Sequence, residues 1–249
     1  MIAAMTFALP WSHIDTVLLD MDGTLLDLHF DDHFWQVHLP RRYAERHGLS
    51  EEAAREALLA RYRAAEGTLA WYCLDYWSRE LGLAVDRLKA EVAHLIRAHP
   101  GVIPFLEALG RAGKRRVLVT NAHWAALDLK LARVPLARHL DHIVTSHDLG
   151  RPKEDPRLWE RLRRVVPFDP RRTLLIDDSE AVLDSARRYG IAHLLTLRRP
   201  SSRRAARRRL RYPAIADFRH LVLPKGGSAA DEAGHAADDE QREDGGHGQ

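Results

Sequence analysis

Cysteine is all but absent: Cys73 is the only one in 249 residues, which excludes an intramolecular disulfide and fits a reducing compartment. No apolar run approaches the roughly 18 residues needed to span a bilayer. Met1 to His13 carries no Lys or Arg ahead of its short apolar patch, unlike a signal peptide. A soluble, cytoplasmic protein is therefore expected, with no membrane partner. Lysine is also scarce. Of 38 basic residues only Lys89, Lys114, Lys130, Lys153 and Lys225 are lysines, so a lysine in a polar loop stands out against the arginine background. A net charge of +3 says little about partners, whereas 45% hydrophobic residues support a genuine core. The length suits one sizeable α/β domain with an insertion, or two small domains.

The most informative stretch is Val17-Leu18-Leu19-Asp20-Met21-Asp22-Gly23-Thr24-Leu25. A short apolar run flanked by polar turn residues reads as a buried strand. In open α/β sheets, ligands bind beyond the carboxyl ends of the strands, which puts Asp20 at a strand tip and Asp22 just past it. Two acids this close repel unless a cation or a shared proton separates them.

From about residue 30 to 98 the chain reads as helical. An apolar stripe through Phe34, Trp35, His38 and Leu39 runs up to Pro40, and Ser50 caps a helix that stops near Gly67. An aromatic segment from Leu69 extends to Gly82, and a last helix is expected over Ala84 to Ala98. Strand and helix then alternate. Arg116–Thr120, Asp141–Thr145, Arg172–Ile176 and Ile191–Leu197 read as strands. Helices are expected over Ile103–Ala112, Trp124–Arg133, from an Asp155 N-cap to about Val166, and over Glu180–Tyr189. Such alternation implies an α/β fold, a Rossmann-like doubly wound parallel sheet. Its strand tips would gather Asp20 with Asp22, Thr120 with Asn121, and Asp177 with Asp178, joined by Lys153 from the Gly150–Lys153 loop. Carboxylates from two strands, an ammonium, a hydroxyl and an amide suit a hard cation such as Mg²⁺ and an anionic substrate.

Asp20-Met-Asp22-Gly-Thr-Leu, Thr120-Asn121, Lys153 and Asp177-Asp178 occur in the order of the four motifs of the haloacid dehalogenase-like hydrolase superfamily, which the chain resembles. The helical insertion resembles that family's C1-type cap. Stretches such as Trp71–Ser78, Thr120–His123 and Pro152–Asp155 further resemble the superfamily's bacterial GMP/IMP nucleotidases, with the likeness running from about residue 11 to 223. The resemblance implies a catalytic core of residues 12–29 and 99–223 with a cap over 30–98. It implies Asp20 as nucleophile and Asp22 as general acid and base, Thr120, Asn121 and Lys153 as phosphate-binding residues, and Mg²⁺ held by Asp20, the Asp22 main-chain carbonyl and Asp178, with Asp177 nearby or bridged by water. The implied reaction is hydrolysis of purine nucleoside 5′-monophosphates, GMP and IMP, through an aspartyl-phosphate. Sugar phosphates or other small phosphate esters are the alternative substrates.

Substrate choice is expected in the cap, where Trp71, Tyr72, Tyr76 and Trp77 offer stacking surfaces. Leu69, Tyr72, Cys73, Tyr76 and Leu81 share one helical face and read as core, which leaves Trp71 and Asp75 as pocket candidates. His123 reads either as facing the cap or as structural. Eight arginines crowd Arg198–Arg211, forming a surface helix or a basic arm. A non-catalytic protein binding RNA or another anion through that arm is the rival of another class; the intact acids disfavour it, as does the lack of aromatics among the arginines. Residues 224–249, almost devoid of large apolar side chains, are expected to be disordered.

Overall fold

A computed structural model describes residues 9–223; the expectation for 224–249 lies outside them. Six strands form one parallel sheet in the order β3-β2-β1-β4-β5-β6. They are β1 (Thr16–Leu19), β2 (Arg115–Thr120), β3 (His142–Thr145), β4 (Thr173–Ile176), β5 (His193–Leu197) and β6 (Ala214–Ile215). The order reverses between β1 and β4, the place where doubly wound sheets open a crevice. All four residues of β1 are buried. Leu18 lies level with Val117 and Leu175 and joins the cluster on one face, while Val17 and Leu19 join the cluster on the other. Burial on both faces is why the strand reads as an unbroken apolar run. Each such leucine contributes about 1.5–3 kcal/mol.

The helices are α1 (His29–His33), α2 (Leu39–His47), α3 (Glu51–Ala65), α4 (Leu74–Leu81), α5 (Val85–Glu91), α6 (Val102–Arg111), α7 (Trp124–Arg133), α8 (Ser146–Leu149), α9 (Arg157–Val165) and α10 (Glu180–Tyr189). Ser50 caps α3 as expected, its hydroxyl accepting from Ala53 N–H. None of these helices is long and apolar enough to cross a membrane.

Several boundaries differ from the sequence reading, each for a local reason. The helical run that holds the Phe34–Leu39 stripe continues past Pro40: a π-helical stretch, Phe34–His38, carries it into α2, whose first turn holds the proline. The helix expected over Ala84–Ala98 ends at Glu91, followed by a 3₁₀ turn at Ala93–Leu95. The chain there straightens to pair with the outgoing linker. Asp27 N–H donates to Arg97 C=O at 2.9 Å, and His99 N–H to Leu25 C=O at 2.9 Å. The two linkers flanking residues 30–98 therefore lie side by side. At α9 the capping position is Pro156, and Asp155 serves one residue earlier by accepting from Arg157 N–H. Arg198–Arg211 forms no helix; it is a strap of turns leading into β6, a two-residue strand the sequence reading did not anticipate.

Candidate active site

Asp20, Thr120 and Asp177 follow or end strands β1, β2 and β4, and the parallel sheet brings them to one crevice. Lys153, 2% exposed, spans it. Its ammonium donates to Asp20 Oδ1 and, at 2.7 Å, to Asp177 Oδ2. Burial opposes its charge, but Asp177 and Asp20 outweigh that and push its pKa up. Asp20 Oδ2 is buried with no hydrogen-bond partner. One carboxylate oxygen of Asp20, Asp177 and Asp178 each lie within 4.8 Å of one another. Burial raises both later acids, and neighbouring carboxylates add to it: Asp177 is pushed up to about 7 and Asp178 well above the ordinary value. Three clustered carboxylates, one with a buried unpartnered oxygen, outnumber the single ammonium beside them and form an oxygen donor set that fits a hard divalent cation. Gly23 completes the cradle. Its φ is +85°, and a Cβ there would come within 2.7 Å of Asp178 Oδ2, so both conformation and space require glycine.

The second acid faces another group. Asp22 Oδ1 pairs with Lys130 of α7 at 2.7 Å. Lys130 also reaches Asp31 of α1 at 2.7 Å, and Asp31 in turn accepts from Lys89 of α5 at 2.6 Å. Both lysines are almost fully buried, and Lys89 sits 4.7 and 4.6 Å from the Phe30 and Phe34 ring centres. Burial pushes Asp22 up to about 6, against the pull of Lys130. Burial acts on Asp31 in the same direction, but Lys130 and Lys89 overcome it and hold that carboxyl well below the usual range.

Thr120 Oγ1 accepts from Ala122 N–H at 3.0 Å. The Asn121 amide is engaged on both sides: Nδ2 donates to Glu154 Oε2 at 3.1 Å, and Oδ1 accepts from Lys153 N–H at 3.0 Å. Glu154 also accepts from the Tyr72 hydroxyl at 2.6 Å, joining the helical block to the sheet side. A cavity of about 650 Å³ runs from the carboxylates to a wall of Trp35, Tyr62, Trp71, Tyr72 and Trp77. Tyr62 is packed edge-on against Trp35, Trp71 and Trp77, with ring centres 5.2–5.8 Å apart.

The profile of the haloacid dehalogenase-like hydrolases matches residues 14–190, a span holding every one of these strand-tip groups. GMP/IMP nucleotidase YrfG of Escherichia coli (strain K12) is 43% identical over 218 residues, covering 88% of this chain and 98% of that protein. The chain belongs to the haloacid dehalogenase-like hydrolase family. Among solved structures, an HAD phosphatase from Thermococcus onnurineus superposes with a TM-score of 0.65 at 22% identity, covering 81% of this chain and 93% of that one. The defluorinating L-2-haloacid dehalogenase Rha0230 does so with 0.56 at 21%, covering 86% and 96%. At that identity both comparisons speak for the fold.

In this haloacid dehalogenase-like hydrolase, Asp20, Asp22, Thr120, Asn121, Lys153, Asp177 and Asp178 all line one cavity. Sequence reasoning missed Asp31, Lys89, Lys130 and Glu154, which line it too. The available signal was lysine scarcity: three of the chain's five lysines are buried here. The aromatic segment also needs correction. Leu69–Tyr72 is a 3₁₀ turn and α4 starts only at Leu74, so one helical period does not run through it. Tyr72, expected in the core, lines the cavity, and the buried positions are Leu74, Trp77 and Leu81. Trp71 lines the cavity as expected. Asp75 instead sits in an exposed position 3.7 Å from His123 Nε2. His123 lines the cavity and also caps α7, its Nδ1 accepting from Ala125 N–H.

Proposed function

We propose that the protein is a Mg²⁺-dependent, cytoplasmic phosphatase acting on purine nucleoside 5′-monophosphates, GMP and IMP, by way of an aspartyl-phosphate. The observation that carries the reading is the asymmetry of Asp20, with Oδ1 tied to Lys153 and Oδ2 buried, unpartnered and beside two further carboxylates. Lys153 fixes the carboxylate's orientation and leaves one oxygen to attack phosphorus. A carboxylate needs no activating base at neutral pH. Asp20, the Asp22 main-chain carbonyl and Asp178 would hold Mg²⁺, which when bound neutralises charge between nucleophile and phosphate.

Asp22 donates its proton to the departing 5′-oxygen, then takes one from the water that hydrolyses the aspartyl-phosphate. Its pKa of about 6 suits both halves. This proton donor favours phosphoryl transfer over dehalogenation, because a halide leaves without a proton. The Thr120 hydroxyl and the Lys153 ammonium bind phosphate oxygens. Asn121, whose amide is engaged by Glu154 and Lys153 N–H, holds the Lys153 loop in place and serves phosphate binding through it. In this reading residues 12–29 and 99–223 are the core, and 30–98 close over it as the cap. The purine lies against Trp35, Tyr62 and Trp71. The 43% identity to a GMP/IMP nucleotidase supports that substrate.

Phosphate release from GMP, IMP, AMP, ribose 5-phosphate and glucose 6-phosphate, each with Mg²⁺ or with chelator, tests the reading. Preferential turnover of GMP and IMP, lost on chelation, is expected. A flat profile overturns the substrate, and full activity in chelator overturns the metal.

A further inference from the structure

The arginine-rich strap is the one sequence feature that the proposed chemistry leaves unused, and the fold gives it a location. It leaves the end of β5 and returns as β6, which pairs beside the last residues of β5. At its start, Pro200 C=O accepts from Leu28 N–H at 2.9 Å and lies 3.0 Å from His99 Nε2, while Ser202 N–H donates to Asp27 Oδ1 at 2.9 Å. These contacts hold both linkers of the helical block against the core.

Seven of the strap's eight arginines are exposed; Arg207 turns inward. Its Nη1 donates to the Asp178 main-chain carbonyl at 2.8 Å, and its Nη2 donates to Thr196 Oγ1 at 3.1 Å and to Leu197 C=O. One planar fork thus spans the turn carrying Asp177 and Asp178 and the end of the neighbouring strand. The flanking residues have ties of their own, Asp177 N–H donating to Leu195 C=O at 3.1 Å, Lys153 and Ser179 N–H donating to the Asp177 carboxylate, but the Asp178 carbonyl is reached otherwise only by Thr196 Oγ1, at 3.5 Å. With that one long contact alone at its carbonyl, Asp178 would be free to swing its carboxylate away from the two others it lies close to.

We propose that Arg207 is a positioning residue: by gripping the Asp178 carbonyl it holds that carboxylate in place for the divalent cation. Arg207 does not line the cavity and acts through the backbone of Asp178. The inference rests on the reading of the Asp20–Asp178 cluster as a Mg²⁺ site. Groups that orient metal ligands from behind are typically worth about 10–100-fold in metal affinity or activity. The planar fork is what matters, because lysine, a point charge with no fork, cannot span the same three acceptors.

Calorimetric titration of the full-length, metal-free protein with Mg²⁺, together with GMP kinetics at saturating Mg²⁺, tests this. The Mg²⁺ dissociation constant should rise about tenfold or more in Arg207→Ala and by less in Arg207→Lys. It should be unchanged in Arg208→Ala, an exposed neighbour in the same strap. KM for GMP should stay within about twofold throughout, an outcome that general loosening of the structure would not produce. Wild-type Mg²⁺ affinity in Arg207→Ala overturns the proposal. If that variant does not fold, Arg207→Lys decides: weakened binding supports the role of the fork and undiminished binding overturns it. Absence of Mg²⁺ binding in the wild type would instead overturn the underlying metal reading, a separate result.

Discussion

Lys130 Nζ lies 2.7 Å from Asp22 Oδ1 and 2.7 Å from Asp31 Oδ2, so one buried ammonium from α7 joins the proposed acid–base group to a carboxylate of α1. Replacing it with Lys130→Met leaves two acids facing each other in a desolvated place. Breaking a buried pair in this way costs about 3–5 kcal/mol, readable as a drop in melting temperature. The effect on chemistry has a definite sign. Asp22 already titrates near 6 because burial disfavours its charge, and Lys130 opposes that rise. Without Lys130 its pKa moves higher. Phosphoryl transfer needs Asp22 protonated, so the alkaline decline of kcat/KM should shift to higher pH in Lys130→Met. The same nucleotide titrates identically in both assays, which isolates the enzyme group. An unshifted profile would show that Lys130 does not tune Asp22.

Asp20→Asn keeps the shape of the side chain and removes the attacking oxygen. Turnover should fall by about a thousandfold or more, as for other removed nucleophiles, and acid-quenched enzyme should carry no phosphate label from the substrate. The amide also removes one of three clustered carboxylates while Asp177 still pairs with Lys153, so the folded protein should survive the change. Near-native turnover would refute covalent catalysis by Asp20.

The groups named from the sequence are those at strand tips, because an apolar run that ends in Asp or Thr-Asn reveals both its strand and its outlet. Asp20, Thr120 and Asp177 were legible for that reason, and Lys153 because a lysine is rare in this chain. Asp31, Lys89 and Lys130 come from three different helices, 41 or more positions apart between successive members. No local period announces their meeting, which only tertiary packing of helix on helix creates. Arg207 was hidden differently, among seven arginines that face solvent. The apolar stripe that runs up to Pro40 gave no sign that a π-helical stretch carries the helical run past the proline.

Clustered acids make the metal-free protein pH-sensitive. Asp177, pushed up to about 7, and Asp178, pushed up further than the ordinary range, bind protons more tightly when folded than when unfolded. Stability therefore falls as pH rises from the unfolded carboxyl pKa, near 3.9, through the folded values. In chelator the melting temperature should decline between about pH 5 and 8 by this contribution, and Asp178→Asn should flatten the decline. Added Mg²⁺ should restore stability at pH 8, by about 2.7 kcal/mol at a hundred times its dissociation constant. A metal-free wild type whose melting temperature is no more pH-sensitive than that of Asp178→Asn would rule out the repulsive cluster.

Trp71 separates recognition of the base from recognition of the phosphate. Its ring lines the cavity and packs edge-on against Tyr62 at 5.8 Å and Trp77 at 6.3 Å. Trp71→Leu keeps an apolar side chain and removes the aromatic face. If the purine stacks there, KM for GMP should rise by the equivalent of about 1–3 kcal/mol, roughly 5- to 150-fold. KM for ribose 5-phosphate, which has no base, should stay unchanged. A parallel rise for both substrates would mean that the substitution disturbs closure of the helical block and that the purine binds elsewhere. Equal values for both in the variant and the wild type would remove Trp71 from the substrate site altogether.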